Sequence, residues 1–175
     1  MSKPILAITL GDPAGVGPEV TAKAFPHEAG LGRSTPLVVG DARIVAAAAD
    51  RWAPGWTVAA IEAPEEAVAV GERVIPVIDL SNCDPEKFTI GKVDPYTGNA
   101  AYEYVVHTAQ LAMDKRVGAI VTAPLNKEAM RLAGHMYDGH TGLLGSLTNT
   151  KKYFMVLGSD VLRVIHVSTH VSLEE

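Results

Sequence analysis

A single cysteine, Cys83, occurs in the 175 residues. No disulfide can form within the chain, and no cage of cysteines can hold a metal. A signal-peptide pattern is also missing, because Met1-Ser2-Lys3-Pro4 leads into only a few apolar residues before Gly11-Asp12-Pro13. These absences predict the cytoplasm. Long apolar runs are missing too. The stretch from Val117 to Pro124 falls far short of the ~20 residues a bilayer demands, so no membrane partner is expected. Positive charge is scarce, with 15 Lys and Arg against 20 Asp and Glu, a net charge of −5. Lys151-Lys152 is an isolated basic pair, which argues against a nucleic-acid partner. What remains is an ordinary globular composition, 47% apolar and 20% charged. The length suits one good hydrophobic core rather than two full-sized domains.

The apolar patterning predicts an α/β chain. Strand candidates run from Lys3 to Leu10, Pro36 to Gly40, Trp56 to Ile61, Arg73 to Leu80, Val117 to Thr122, Tyr153 to Leu157 and Leu162 to Ser168. Gly17-Pro18-Glu19 opens one helix, since proline suits the first helical position and an acid the first turn. Asp41 caps a second helix from Ala42 to about Trp52, and Asn126 caps a short one through Leu132. The longest candidate, Gly98 to about Lys115, carries its apolar residues at spacings of three and four. Gly139-His140-Thr141 starts another short helix, with Thr141 as its expected cap. Several strands are apolar throughout rather than alternating, which predicts a layered, mainly parallel sheet covered on both faces. Ser172-Leu173-Glu174-Glu175 fits a capping box with no helix after it. It reads as a truncated chain or as a chance tetrapeptide.

Four places invite a chemical reading. Gly11 to Glu19 joins a strand to a helix, a common phosphate-binding position. It is not G-x-G-x-x-G, lacks the Lys-Ser/Thr of a P-loop, and Glu19 would repel an anion, so spacing alone favours a tight turn over a phosphate site. Of the six histidines (His27, His107, His135, His140, His166 and His170), the last two are four apart. On an extended strand that is roughly 13 Å, too far to share one ion. His170 stands at a strand's C-terminal end, where open α/β sheets place ligands; a hydrogen-bonded structural histidine is the alternative. His140 offers an imidazole at a helix N-terminus beside a permissive glycine, a setting for a carboxylate or phosphate or simply a turn and cap. Lys127 meets an anionic substrate or is merely solvated. No nucleophile emerges: Gly145-Ser146 lacks the G-x-S-x-G context, and Cys83 has no neighbouring histidine in the sequence. The roles of Asp12 and Lys127 stay open.

The segments Ile8-Thr9-Leu10-Gly11-Asp12-Pro13-Ala14-Gly15-Val16-Gly17-Pro18-Glu19, Val121-Thr122-Ala123-Pro124-Leu125-Asn126-Lys127, Gly139-His140-Thr141 and Val167-Ser168-Thr169-His170 resemble, in order, motifs of the 4-hydroxythreonine-4-phosphate dehydrogenase family. The resemblance covers the whole chain but about the first half of the family's protein. It implies a two-lobed fold related to isocitrate and isopropylmalate dehydrogenases, with residues 1–122 as the first lobe and 123–175 beginning the second. It further implies a homodimer in pyridoxine biosynthesis that uses NAD or NADP to oxidise a phosphorylated hydroxy acid, such as 4-phosphohydroxy-threonine, before loss of carbon dioxide. A divalent cation (zinc, magnesium or cobalt) is implied, held by three histidines.

By the same resemblance His170 matches the first metal ligand, and His140 with Thr141 a substrate-binding pair. Catalytic and cofactor-binding residues are not assigned. Position 142 is Gly where the family pattern often has Glu, and the wording is closer to a branch acting on threonate or erythronate 4-phosphate. With only one of three metal ligands present, the 175 residues alone are expected to be inactive. A noncatalytic binding or assembly module is the rival expectation.

Overall fold

The computed structural model describes residues 3–27 and 32–167. Five strands form one parallel sheet: β1 (Ile5–Thr9), β2 (Thr35–Gly40), β3 (Thr57–Ile61), β4 (Val74–Asp79) and β5 (Ala119–Thr122), in the order β3-β4-β2-β1-β5. The expected α/β architecture and its parallel sheet are therefore present. Successive residues of one strand face opposite sides, and β2 shows it. Val38 packs with Leu10, Ile44, Val45 and Tyr104, whereas Leu37 and Val39 pack with Ala67, Leu111 and Val117. Such two-sided burial explains why the inner strands β2 and β4 carry apolar residues on both faces.

Helices α1 (Gly17–Ala24) and α2 (Ala42–Trp52) contribute Ala22, Ile44, Val45 and Ala49 to the first of these clusters. The Asp41 cap is as expected: its carboxylate accepts from the Arg43 amide at 3.0 Å. Helix α3 (Pro95–Met113) begins three residues before the expected Gly98. Asp94 accepts from the Tyr96 amide at 2.8 Å and Pro95 fills the first helical position, a stronger start than Gly98 offers. Gly98 has a different task. A Cβ there would run into the Ala129 backbone, so its bareness lets α4 (Lys127–Leu132) lie directly on α3. Met130 of α4 and Leu143 of α5 (His140–Leu147) are fully buried beside Val105, with Tyr102, Leu125, Tyr137, Leu144 and Leu147 packed around them. Burial of each such side chain stabilises by about 1.5–3 kcal/mol.

Three expectations need correction. Strand β5 is a half-uncovered sheet edge rather than a strand covered on both faces. The last two strands, β6 (Val156–Gly158) and β7 (Arg163–Ile165), are shorter than expected and pair antiparallel in a separate ribbon. Their residues are exposed, so their apolar character does not mark the sheet's core. Thr141 is not a cap: Gly139, at φ +133°, turns the chain straight into the helix at His140, and no side chain caps it. Among the described residues no helix is long and apolar enough to cross a membrane.

Candidate functional site

Strand β1 has β2 on one side and β5, which arrives through α3, on the other. The C-terminal ends of β1 and β5 thus flank a topological switch point, where ligands of open α/β sheets gather. Here backbone fills the gap. The Asp12 amide donates to the Pro124 carbonyl at 2.9 Å, and the Ala123 amide donates to the Thr9 carbonyl at 3.1 Å. Gly11 has φ +74°, and a Cβ on it would strike the Pro124 oxygen; one on Gly17 would strike the Leu10 oxygen. The Asp12 carboxylate turns inward and accepts from the Ala14 amide at 2.9 Å. Gly11 to Gly17 is therefore a tight turn docked on the β5 end, which favours the structural reading of that motif.

The open space lies beyond Pro124. A cleft of about 650 Å³ is lined by Pro124, Leu125, Lys127, Met136, Tyr137, Asp138, Gly139, His140, Thr141, Gly142, Tyr153 and Met155. It unites His140, Thr141 and Lys127, three residues singled out in the sequence. The Asn126 side chain accepts from the Ala129 amide at 3.0 Å and so fixes the start of α4, from which Lys127 projects. Thr141 is exposed in the first turn of α5.

His140 is half-buried, and its Nε2 is sealed from solvent without a hydrogen-bond partner among the described residues. Burial pushes its pKa below the usual histidine value. A ring nitrogen left unsatisfied in this way costs about 1–3 kcal/mol. Among the described residues Asp138 supplies the lining's one carboxylate, and it is paired with Arg131 at 2.5 Å.

Sequence reasoning missed the support behind this wall. The Tyr102 ring stacks on His135 with centroids 3.6 Å apart and on the cleft residue Tyr137 at 6.2 Å. His135 Nε2 donates to Asn99 Oδ1 at 2.8 Å, and Asn99 donates to Glu103 at 2.9 Å. Glu103 also accepts from Asn82. No spacing in the sequence pairs Tyr102 with His135; only the packing of α4 against α3 does. The other histidines stand apart. His107 lies on α3, its pKa pushed down by burial and by Arg116, and the His166 amide donates to the Met155 carbonyl just after β7.

Among the described residues no three His, Cys, Asp or Glu side chains converge to hold a metal ion. His170, the expected metal ligand, lies outside the described residues, as does the capping box at 172–175. Cys83 is buried, and desolvation with the nearby Asp41 pushes its thiol up to about 12, so it is no nucleophile at neutral pH. A larger cavity, about 1140 Å³, opens near the N-terminal ends of β2 and β4 beside Thr35, Pro36, Val74 and Pro76. That is the opposite end of the strands from the switch point.

Comparison with known proteins gives a consistent set of likenesses. The model of a family described as pyridoxal phosphate biosynthetic protein PdxA matches residues 32–175. The chain is 45% identical to a D-threonate 4-phosphate dehydrogenase of Salmonella typhimurium, over 100% of the chain and 53% of that protein. It is 41% identical to the D-threonate 4-phosphate dehydrogenase of Cupriavidus necator, over 97% of the chain and 50% of that protein. A crystal structure of a 4-hydroxythreonine-4-phosphate dehydrogenase from Burkholderia phymatum superposes with a TM-score of 0.89 at 38% identity, over 98% of the chain and 52% of that structure. The chain thus spans about half the length of the relatives it matches.

Proposed function

The chain belongs to the PdxA family, and on that premise we propose that it takes part in NAD- or NADP-linked oxidation of a phosphorylated hydroxy acid, with decarboxylation of the resulting β-keto acid. The observation that carries this reading is the convergence of His140, Thr141 and Lys127 on one cleft. His140 then hydrogen-bonds a polar group of the substrate, and the Thr141 hydroxyl holds a second.

Of the two substrates named among the relatives, D-threonate 4-phosphate suits the cleft better. An amino substrate brings an ammonium group that calls for a free carboxylate. Among the described residues the cleft's one carboxylate, Asp138, is committed to Arg131, and Gly142 has no side chain, with no described atom within 4 Å of where its Cβ would stand. A hydroxy acid needs no such partner. 4-Phosphohydroxy-threonine is the second reading, supported by the name of the Burkholderia phymatum structure.

NAD or NADP would supply the hydride acceptor. A divalent metal belongs to the proposal through His170, but the described residues form no metal-binding group, so none of the roles given to His140 and Thr141 depends on it. The proposal extends to a two-lobed, isocitrate dehydrogenase-like arrangement with its boundary at residues 122 and 123, and to a homodimer in the cytoplasm. The test is steady-state NAD(P)H formation by the full-length gene product with D-threonate 4-phosphate. His140→Ala and Thr141→Ala should each lower kcat/KM by about tenfold or more, the scale of one lost hydrogen bond to a charged substrate. Unchanged kinetics in both variants would reject the assigned roles.

A further inference from the structure

We propose that Lys127 is the anion-binding residue of this cleft, a contact separate from His140 and Thr141. This rests on the reading above that the cleft takes a phosphorylated acid. The Lys127 Cε and Nζ lie 3.4 and 3.9 Å from where a Cβ on Gly139 would stand. The ammonium therefore rests over a bare glycine, immediately before His140 in the chain. Gly139 holds φ +133°, a conformation that other residues rarely adopt, so the bare seat is built into the turn.

Charge accounting points the same way. Lys127 makes no ion pair among the described residues, while the lining's one carboxylate, Asp138, is bound to Arg131. Among the described residues the lining thus carries one uncompensated charge, and it is positive. A hydroxy acid phosphate has two anionic groups to place, one at each end, and Lys127 holds one of them. Nothing in the fold requires this lysine, since its side chain is exposed and the helix start is fixed by Asn126.

Calorimetric titration of the full-length gene product tests the idea with three probes: D-threonate 4-phosphate, inorganic phosphate and unphosphorylated D-threonate. Lys127→Met should weaken D-threonate 4-phosphate binding by about 10- to 100-fold, as expected for loss of a charge-assisted hydrogen bond, and Lys127→Arg should restore most of it. A loss shared with inorganic phosphate places the ammonium on the phosphate; a loss shared with D-threonate places it on the carboxylate. Either result supports the proposal. Equal binding of all three probes by Lys127→Met and wild type, or no binding of any probe by wild type, overturns it. Turnover is measured separately. Lys127-dependent binding without NAD(P)H formation would sink the dehydrogenase reading and leave this one standing.

Discussion

The backbone amide of Asp12 donates to the carbonyl of Pro124 at 2.9 Å. That bond joins two motifs that are remote in the chain and closes the gap between the ends of β1 and β5. Pro124 is also the first residue of the cleft wall. The turn after β1 therefore works as a buttress, holding the start of the site from behind while contributing no lining side chain.

Gly11→Ala should break that buttress. The residue sits at φ +74°, and the new Cβ would meet the Pro124 carbonyl oxygen, which is backbone and cannot rotate away. Left-handed strain of about 1–2 kcal/mol adds to an overpacking cost of about 1–3 kcal/mol. Urea unfolding should show a midpoint lowered by an amount equivalent to about 2–5 kcal/mol. A midpoint equal to wild type would mean that the Gly11–Pro124 contact is not required by the fold.

Asp41 gives a pH-dependent expectation. Burial pushes its carboxyl up, but hydrogen bonds from the Arg43 side chain and from the Cys83 and Arg43 amides outweigh that and hold it below the usual carboxylate value. A depressed folded pKa stabilises fully above the unfolded value of about 3.9, and the contribution is lost as pH falls through the folded pKa. Asp41→Asn should cost about 1–3 kcal/mol near neutral pH, because the carboxylate accepts from the Arg43 and Cys83 amides with its two oxygens and a buried side-chain amide has only one acceptor oxygen. The variant should also lose stability less steeply than wild type below about pH 4. Parallel acid profiles for the two proteins would show that this carboxylate is not the group being titrated.

The sheet was legible because its strands are apolar on both faces, and the Asp41 and Asn126 caps because each is a local bond between a side chain and a nearby amide. Structure and expectation part where local rules met a competing helix start or strands exposed among the described residues. Asp94-Pro95 outbid Gly98 as the start of α3. Gly139 made a capping side chain at Thr141 unnecessary. Leu157 and Val164 look like core residues in sequence yet are exposed in a separate ribbon. His140, Thr141 and Lys127 could be named one by one from residue type. Their convergence could not, because it depends on Met130 and Leu143 docking α4 and α5 on α3 through contacts remote in sequence.

His140 carries a titration of its own. Burial lowers its folded pKa below the unfolded value of about 6.5, so the contribution of the neutral ring is fully present above that value and is lost as pH falls through the folded pKa. Proton NMR of the imidazole should give a midpoint under about 6.5 in the free protein. A midpoint at or above the free-histidine value would contradict a desolvated, neutral ring and remove the reason for its unsatisfied Nε2.

Asn126 and Thr141 separate folding from binding at the same cleft. Asn126 caps α4 with a bond to the Ala129 amide at 3.0 Å, so Asn126→Ala should destabilise by about 1 kcal/mol. Its effect on substrate affinity should be indirect, through the position of Lys127. The Thr141 side chain is exposed and caps nothing, so Thr141→Ala should change stability by less than about 0.5 kcal/mol while raising KM for D-threonate 4-phosphate. Thermal unfolding and KM measured on both variants decide the matter. A destabilised Thr141→Ala with an unchanged KM would return Thr141 to a structural role and leave His140 as the one side chain of the pair available to the substrate.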